Sequence, residues 1–326
     1  MTKTKALTTT PRPALPAQAI EMVERAKGYA AQARAANTIR AYAVDWRDFA
    51  AWCAAQGQQA MPASPATVGV YLADLAQRAR PSTISRRLVA ITSAHRQAGH
   101  ALDTRHPAIR DTLRGIRRQH GTAQQGKAPA VVADIRLMVA TIPDTLKGAR
   151  DRALILLGFA GAFRRSELVG LDAEDLQFTH DGLRVTLRRS KTDQEGEGRL
   201  VGIPYGSTPA TCPVRSVMAW KDAAGLERGP LFRPMQGNGK LYAGEFRLSD
   251  RSVALLVKAL AKAAGLASDK YSGHSLRAGL ATSAAAAGAT ERAIMGQTGH
   301  RSVITVRRYI RSGELFRENA AAIVGL

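Results

Sequence analysis

Apolar residues recur at helical spacing along the first third of the chain. Ile39, Tyr42, Trp46, Phe49 and Cys53 share one face, which predicts an amphipathic helix over residues 37–56, with Asn37 as N-cap and Gly57 as stop. Ser64-Pro65 has the order of a cap followed by a first-turn proline, so a second helix starts there and buries Val68, Tyr71, Leu72 and Leu75. A third, capped at Ser82, aligns Ile84, Leu88, Ile91 and His95. A fourth, about residues 106–118, carries Ile109, Leu113 and Ile116. Residues 1–17 are rich in Thr, Lys and Pro and read as a disordered lead-in. Residues 120–129, H-G-T-A-Q-Q-G-K-A-P, lack apolar periodicity and read as a linker.

The second half changes pattern. Residues 131–141 and 148–161 read as helices, the latter carrying Ala153, Leu154, Leu157 and Phe159. Alternation through Leu183, Val185 and Leu187 predicts a strand over 183–188. A strand over 170–178 precedes it across the turn His180-Asp181-Gly182, and a third runs over 200–204 after a polar loop. Helices follow at 214–225, 250–265 and 277–287, the last closed by Gly288. The expectation is a mainly α chain with a small antiparallel sheet, an α+β class. Its organisation is a helical bundle over residues 18–119 and a second domain over 130–326.

Charge narrows the function. The net charge is +21. Residues 1–126 hold 18 basic and 7 acidic residues (+11), and the remainder holds 29 and 19 (+10). Both halves are basic, which favours a polyanion held by both. Between Arg78 and Arg118 ten arginines face only Asp103 and Asp111. In the third and fourth helices Arg86, Arg87, Arg110, Arg114, Arg117 and Arg118 fall between the apolar positions. They are expected to project from the core as a DNA-binding face rather than as an ordinary solvated one. Cys53 and Cys212 have neither metal-ligand spacing nor a disulfide framework. No signal-peptide core and no apolar run of membrane-spanning length is present, so a bacterial or phage cytoplasm, beside the nucleoid, is the expected compartment.

The chemistry gathers in Tyr271–Arg311. Y-S-G-H-S-L-R leads through an alanine-rich run to G-Q-T-G-H-R-S-V-I-T-V-R-R-Y-I-R, which places His274, Arg277, His300 and Tyr309 within 36 residues. Arg bridges phosphate oxygens bidentately, His moves protons near neutral pH, and Tyr can attack phosphorus and hold a covalent intermediate. Singly each residue has an ordinary explanation, and their conjunction at fixed spacing does not. H-x-x-R at 274–277, and G-H-x-S-x-x-T-x-x-x-Y through Ser302, Thr305 and Tyr309, resemble the tyrosine recombinases (phage integrases and Cre-like enzymes). Arg164-Arg165-Ser166-Glu167-Leu168 resembles their R-x-S-E-L. Lys191, the only lysine between Lys147 and Lys221, falls where the family keeps a hairpin lysine. Ala162 departs from the glycine usual two residues before the first arginine. The resemblance covers residues 129–326 strongly and the earlier bundle loosely.

That resemblance implies a helical core-binding domain followed by a catalytic domain, closing as a C-shaped clamp on DNA. It implies Tyr309 as nucleophile forming a 3′-phosphotyrosine, and Arg164, Arg277 and His300 on the phosphate. Lys191 becomes the general acid, His274 the general base, and Glu167 a carboxylate that orients a catalytic His or Arg. No metal and no cofactor are expected, and no ATP-binding loop is present. Expected partners are double-stranded DNA with an inverted-repeat core site and further copies of the chain. These would be a dimer per site and a homotetramer on two sites, mainly monomeric off DNA, with accessory DNA-bending proteins in some reactions. Residues 313–326 would form a helix docking into a neighbouring subunit. An additional N-terminal arm-binding domain is not expected. Two other readings stand beside this one: a type IB topoisomerase-like relaxing enzyme, and a non-catalytic DNA-binding protein derived from a recombinase.

Overall fold

The computed structural model describes residues 17–32, 35–123, 126–188, 198–313 and 324. The chain divides into two compact units, residues 1–124 and 125–326.

The first unit is helical: α1 (Ala17–Gln32), α2 (Ala36–Ala55), α3 (Pro65–Leu75), α4 (Pro81–Gln97) and α5 (Pro107–His120). Three of these open on proline, whose fixed φ suits the first turn and whose missing N–H is not needed there. Ser64 caps α3, accepting from Thr67 N at 3.0 Å. The same rule moves the start of α4. Pro81 occupies its first position after Arg80, so Ser82 lies inside the helix and is not its cap. Asn37 also lies inside its helix, where its Oδ1 accepts from Arg40 at 2.5 Å. The core joins Phe49, Cys53, Val68, Tyr71, Leu72, Leu75, Ile84, Leu88, Ile91, Ile109 and Ile116. Ile39 is exposed, and the buried position on α2 is taken instead by Asp45. At Gly69 an added Cβ would lie 2.3 Å from the Ala108 carbonyl oxygen, so α3 and α5 approach over a bare backbone.

Asp45 changes the reading of two arginines. Arg86 and Arg87 both bond carboxylates of α2, Arg86 to Asp45 and Arg87 to Asp48. Arg87 also donates to Tyr71 Oη at 2.7 Å, and that hydroxyl donates to Asp48 at 2.7 Å. Arg87 therefore does not project from the core: it is 15% exposed. Arg87 Nε also stands 3.6 Å from Asp45, and a buried carboxylate needs partners, a demand that outweighs the helical-wheel prediction. Arg110, Arg114, Arg117 and Arg118 do form an exposed stripe along α5.

The second unit comprises α6 (Val132–Ala140), α7 (Leu146–Ala160), α8 (Arg165–Gly170), β1 (Leu176–Phe178), β2 (Gly182–Leu187) and β3 (Arg199–Pro204). It continues through α9 (Pro213–Ala224), α10 (Asp250–Ala263), α11 (His274–Ala286), α12 (Glu291–Thr298) and α13 (Val303–Gly313). The sheet is antiparallel in the order β1-β2-β3, pairing Leu176 with Val185, Val185 with Val201 and Leu183 with Ile203. The strand expected over 170–178 is reduced to its last three residues. Gly170 ends α8, and Asp175 accepts from Asp172 N at 2.9 Å to close a 3₁₀ turn. α7 is buried over Ala153–Gly158 at the centre of the core, between α9 and α11. α11 starts three residues earlier than expected, so His274 and Arg277 lie one turn apart on one helix. α12 and α13 add to the expected helices, and pack on α11 through Ala281, Ala285, Ile294 and Val306. Cys53 and Cys212 are buried free thiols. Among the described residues no helix is long and apolar enough to cross a membrane.

Candidate active site

Five of the six expected catalytic residues converge from four places in the second unit. They are the turn before α8, the first turn of α11, the α12–α13 connection and α13. The sixth, Lys191, and the expected segment 314–326 apart from Val324 lie outside the described residues.

Arg164 precedes α8 as its N-cap residue. Glu167, three residues on and buried, accepts from the Arg164 backbone N at 2.8 Å and also bonds its guanidinium. One carboxylate thus caps the helix and aims the arginine, which is why R-x-S-E keeps that three-residue step.

Arg277 is 1% exposed. Its Nη1 donates to the Ala162 carbonyl at 2.8 Å, while Nη2 is buried with no hydrogen-bond partner among the described residues. Ala162 has φ +49°, the left-handed region, which costs a residue with a Cβ roughly 1 kcal/mol. That conformation turns its carbonyl toward Arg277. Burial, followed by the neighbouring Arg164, pushes the Arg277 guanidinium down to about 10, so it stays charged at neutral pH. A buried cation with one nitrogen unmatched favours an anion in the site.

The His274 Nε2 lies 2.9 Å from Tyr309 Oη. Desolvation lowers the His274 pKa first, helped by the cationic Arg277, Arg164 and Arg165. The imidazole is therefore neutral at pH 7 and can accept the phenolic proton. The His300 ring stands 5.9 Å from the Tyr309 ring, centroid to centroid. Its Nδ1 is 2.7 Å from Thr298 Oγ1, and that hydroxyl donates to the Ile294 carbonyl at 2.7 Å. Thr298 has spent its single proton, so His300 Nδ1 carries the hydrogen and Nε2 is free. Burial, then Arg277 and Arg164, push the His300 pKa down to about 4. In this neutral form Nε2 accepts rather than donates.

Two further arginines support the site, and neither stands in a sequence motif. Arg199, first residue of β3, reaches the C-terminal turn of α12, and Gln297 reaches back. Arg247 donates to the carbonyls of Val169 and Leu171 at 2.9 and 3.0 Å, holding the end of α8. Nothing in the spacing of the sequence marks these long-range contacts, because each links segments some 75 or more residues apart.

The sequence pattern of the phage integrase family matches residues 132–314, more than half the chain. The chain belongs to the phage integrase family, the tyrosine recombinases. It is 44% identical over 301 residues to an integrase/recombinase xerD homolog of Selenomonas ruminantium, covering 91% of this chain and 87% of that protein. It is 30% identical over 283 residues to tyrosine recombinase XerC of Pelobacter propionicus, covering 84% of each. Among solved structures it resembles a lambda integrase (residues 75–356) dimer bound to a COC′ core site, with TM-score 0.60 and 14% identity over 90% of this chain and 95% of that one. A XerH site-specific recombinase in a post-cleavage complex with palindromic difH substrate gives TM-score 0.59 and 18% identity over 81% and 73%. At such identities these two likenesses speak to the fold alone.

Proposed function

We propose that this tyrosine recombinase cuts and rejoins DNA at specific sites through a 3′-phosphotyrosine on Tyr309. The observation that carries the reading is the 2.9 Å contact of His274 Nε2 with Tyr309 Oη beside two arginines, one of which has a buried unmatched nitrogen.

In the reaction, Tyr309 Oη passes its proton to His274 Nε2 and bonds to phosphorus, and the P–O5′ bond breaks on the opposite side. Lys191 protonates the departing 5′-oxygen, a role that rests on its place in the sequence. Arg164, held by Glu167, and Arg277, held by the Ala162 carbonyl, bind the non-bridging oxygens as negative charge develops there. Each fixed donor of this kind is worth roughly 2.7–4 kcal/mol of barrier. His300 joins them when the phosphate's charge draws a proton onto Nε2. Attack by a second strand's 5′-hydroxyl reverses the steps and completes recombination, with the phosphodiester energy kept in the Tyr309–phosphate bond. Neither a metal nor ATP enters these steps.

The substrate is double-stranded DNA with an inverted-repeat core, bound by a dimer per site and recombined by a homotetramer in the cytoplasm, at the nucleoid. The exposed α5 arginines of the first unit suit contact with phosphates. Integration, excision, resolution and transposition all use this chemistry. The test is a suicide DNA substrate carrying the sequences flanking the gene. Wild type is expected to give a protease-sensitive, slow-migrating adduct on a denaturing gel, and Tyr309→Phe none. DNA bound without an adduct would instead point to a non-catalytic binder. Relaxation independent of sequence would point to topoisomerase-like activity.

A further inference from the structure

The C-terminal turn of α12, which presents His300, is fastened to β3 by reciprocal hydrogen bonds. Arg199 Nη1 donates to the carbonyls of Gly296 and Gln297 at 3.1 and 3.2 Å. In return Gln297 Nε2 donates to the Gly202 carbonyl of β3 at 3.2 Å, and to the Ala160 carbonyl at the end of α7 at 2.7 Å. The last carbonyls of a helix lack intrahelical donors and carry partial negative charge, so a guanidinium is a fitting partner. Gly299 follows at φ +64°, and an added Cβ there would lie 2.8 Å from Arg199 Cζ. The turn thus closes directly over the guanidinium, and the next residue is His300. Arg199 Nη2 is buried with no hydrogen-bond partner among the described residues. A surface arginine paired for solubility would show none of this closure.

We propose that Arg199 is a positioning residue for strand cleavage: it clamps the α12 turn onto β3 and so fixes where His300 stands against the reacting phosphate. The inference rests on the functional reading above. Lysine keeps the charge and can still donate, but it lacks the flat guanidinium over which Gly299 closes. Arg199 also contributes positive charge near His300. The other groups that face His300 are Arg277 and His274 of α11, Arg164 before α8, and Tyr309 of α13.

Three variants of the full chain test this: Arg199→Met, Arg199→Lys and Gln297→Met. Each is compared with wild type in thermal unfolding, DNA affinity, single-turnover cleavage at saturating suicide DNA, and NMR titration of His300 in the free protein. Arg199→Met is expected to slow cleavage at saturating DNA by about 10- to 100-fold, the range for a misplaced catalytic group. Its DNA affinity should change little, and its His300 should titrate higher than in the wild-type protein, since one of the cations that lower it is gone. Arg199→Lys and Gln297→Met are expected to slow cleavage less, and Gln297→Met does so without removing charge. Cleavage within about twofold of wild type in a folded Arg199→Met or Arg199→Lys protein would overturn the proposal. So would a defect that disappears at saturating DNA. Should Arg199→Met not fold, the Lys and Gln297→Met variants decide. Should wild type form no covalent adduct, the functional reading fails separately.

Discussion

Arg277 spends one guanidinium nitrogen on the carbonyl of Ala162 and leaves the other unmatched in a buried site. The backbone that supplies this carbonyl is held in a left-handed turn by a residue with a Cβ. In a site shared with Arg164, His274 and Tyr309, that unmatched donor suits an anion. Arg277→Lys should therefore cut cleavage at saturating DNA by about 10²–10³-fold while leaving the protein folded. Ala162→Gly should keep activity and alter stability by no more than about 1 kcal/mol, since relief of strain offsets the added freedom of the unfolded chain. Ala162→Val, β-branched at positive φ, should destabilise by about 1–3 kcal/mol and slow cleavage. Urea unfolding and single-turnover cleavage separate these outcomes.

Glu167 is buried against Arg164, and removing its carboxylate leaves that guanidinium and the Arg164 N–H unpaired. Glu167→Ala should cost about 3–5 kcal/mol, the usual result of breaking one side of a buried pair. Glu167→Gln retains a hydrogen-bond acceptor and should cost less, with cleavage slowed through a less well aimed Arg164. Chemical denaturation beside cleavage rates checks both.

The two histidines set a pH signature. His300 titrates near 4 when folded, against about 6.5 when unfolded. Between those values the unfolded chain binds more protons, so stability rises with pH from 4 to 6.5 and declines as pH falls back through that range. His274 shifts in the same direction and adds to the effect. His300→Gln should flatten part of this slope in urea titrations. In the proposed mechanism a neutral His274 accepts the Tyr309 proton, so the acid limb of the cleavage profile is expected below pH 6.5, with a flat region through pH 7. A limb centred above 6.5 would rule out the His274 assignment.

The arginines of the first unit divide into two kinds. Arg114, Arg117 and Arg118 are exposed along α5, and each one that neutralises a DNA phosphate should, when replaced by Ala, weaken binding and reduce the salt slope by about one. Arg87 is bound to Asp48 and Tyr71. Arg87→Met should lower stability by about 3 kcal/mol through the carboxylates it abandons. Salt-dependent binding curves and unfolding midpoints distinguish the two classes.

Much of this arrangement is legible in the sequence because it depends on local spacing. The three-residue step from His274 to Arg277 is one helical turn, and that from Arg164 to Glu167 is a cap and its partner. The α3, α5, β2 and β3 positions follow from proline placement and alternation. What escapes is set by tertiary partners. Asp45 draws in Arg86, and Asp48 draws in Arg87. The 3₁₀ turn at Ala173–Asp175 consumes most of an expected strand. Arg199 joins the site only because β3 passes the end of α12. Nor does sequence foretell that Thr298 fixes the proton of His300 on Nδ1, leaving Nε2 an acceptor.

Whether Tyr309 bonds to phosphorus is decided by peptide mapping of the trapped adduct. Suicide DNA is incubated with wild-type protein, the complex is digested with protease and nuclease, and the nucleotide-bearing peptide is sequenced by mass spectrometry. A single modified residue is expected, Tyr309, linked to a 3′-phosphate, with a free 5′-hydroxyl on the released strand. Modification at another residue, or a 5′-phosphate linkage, would contradict it.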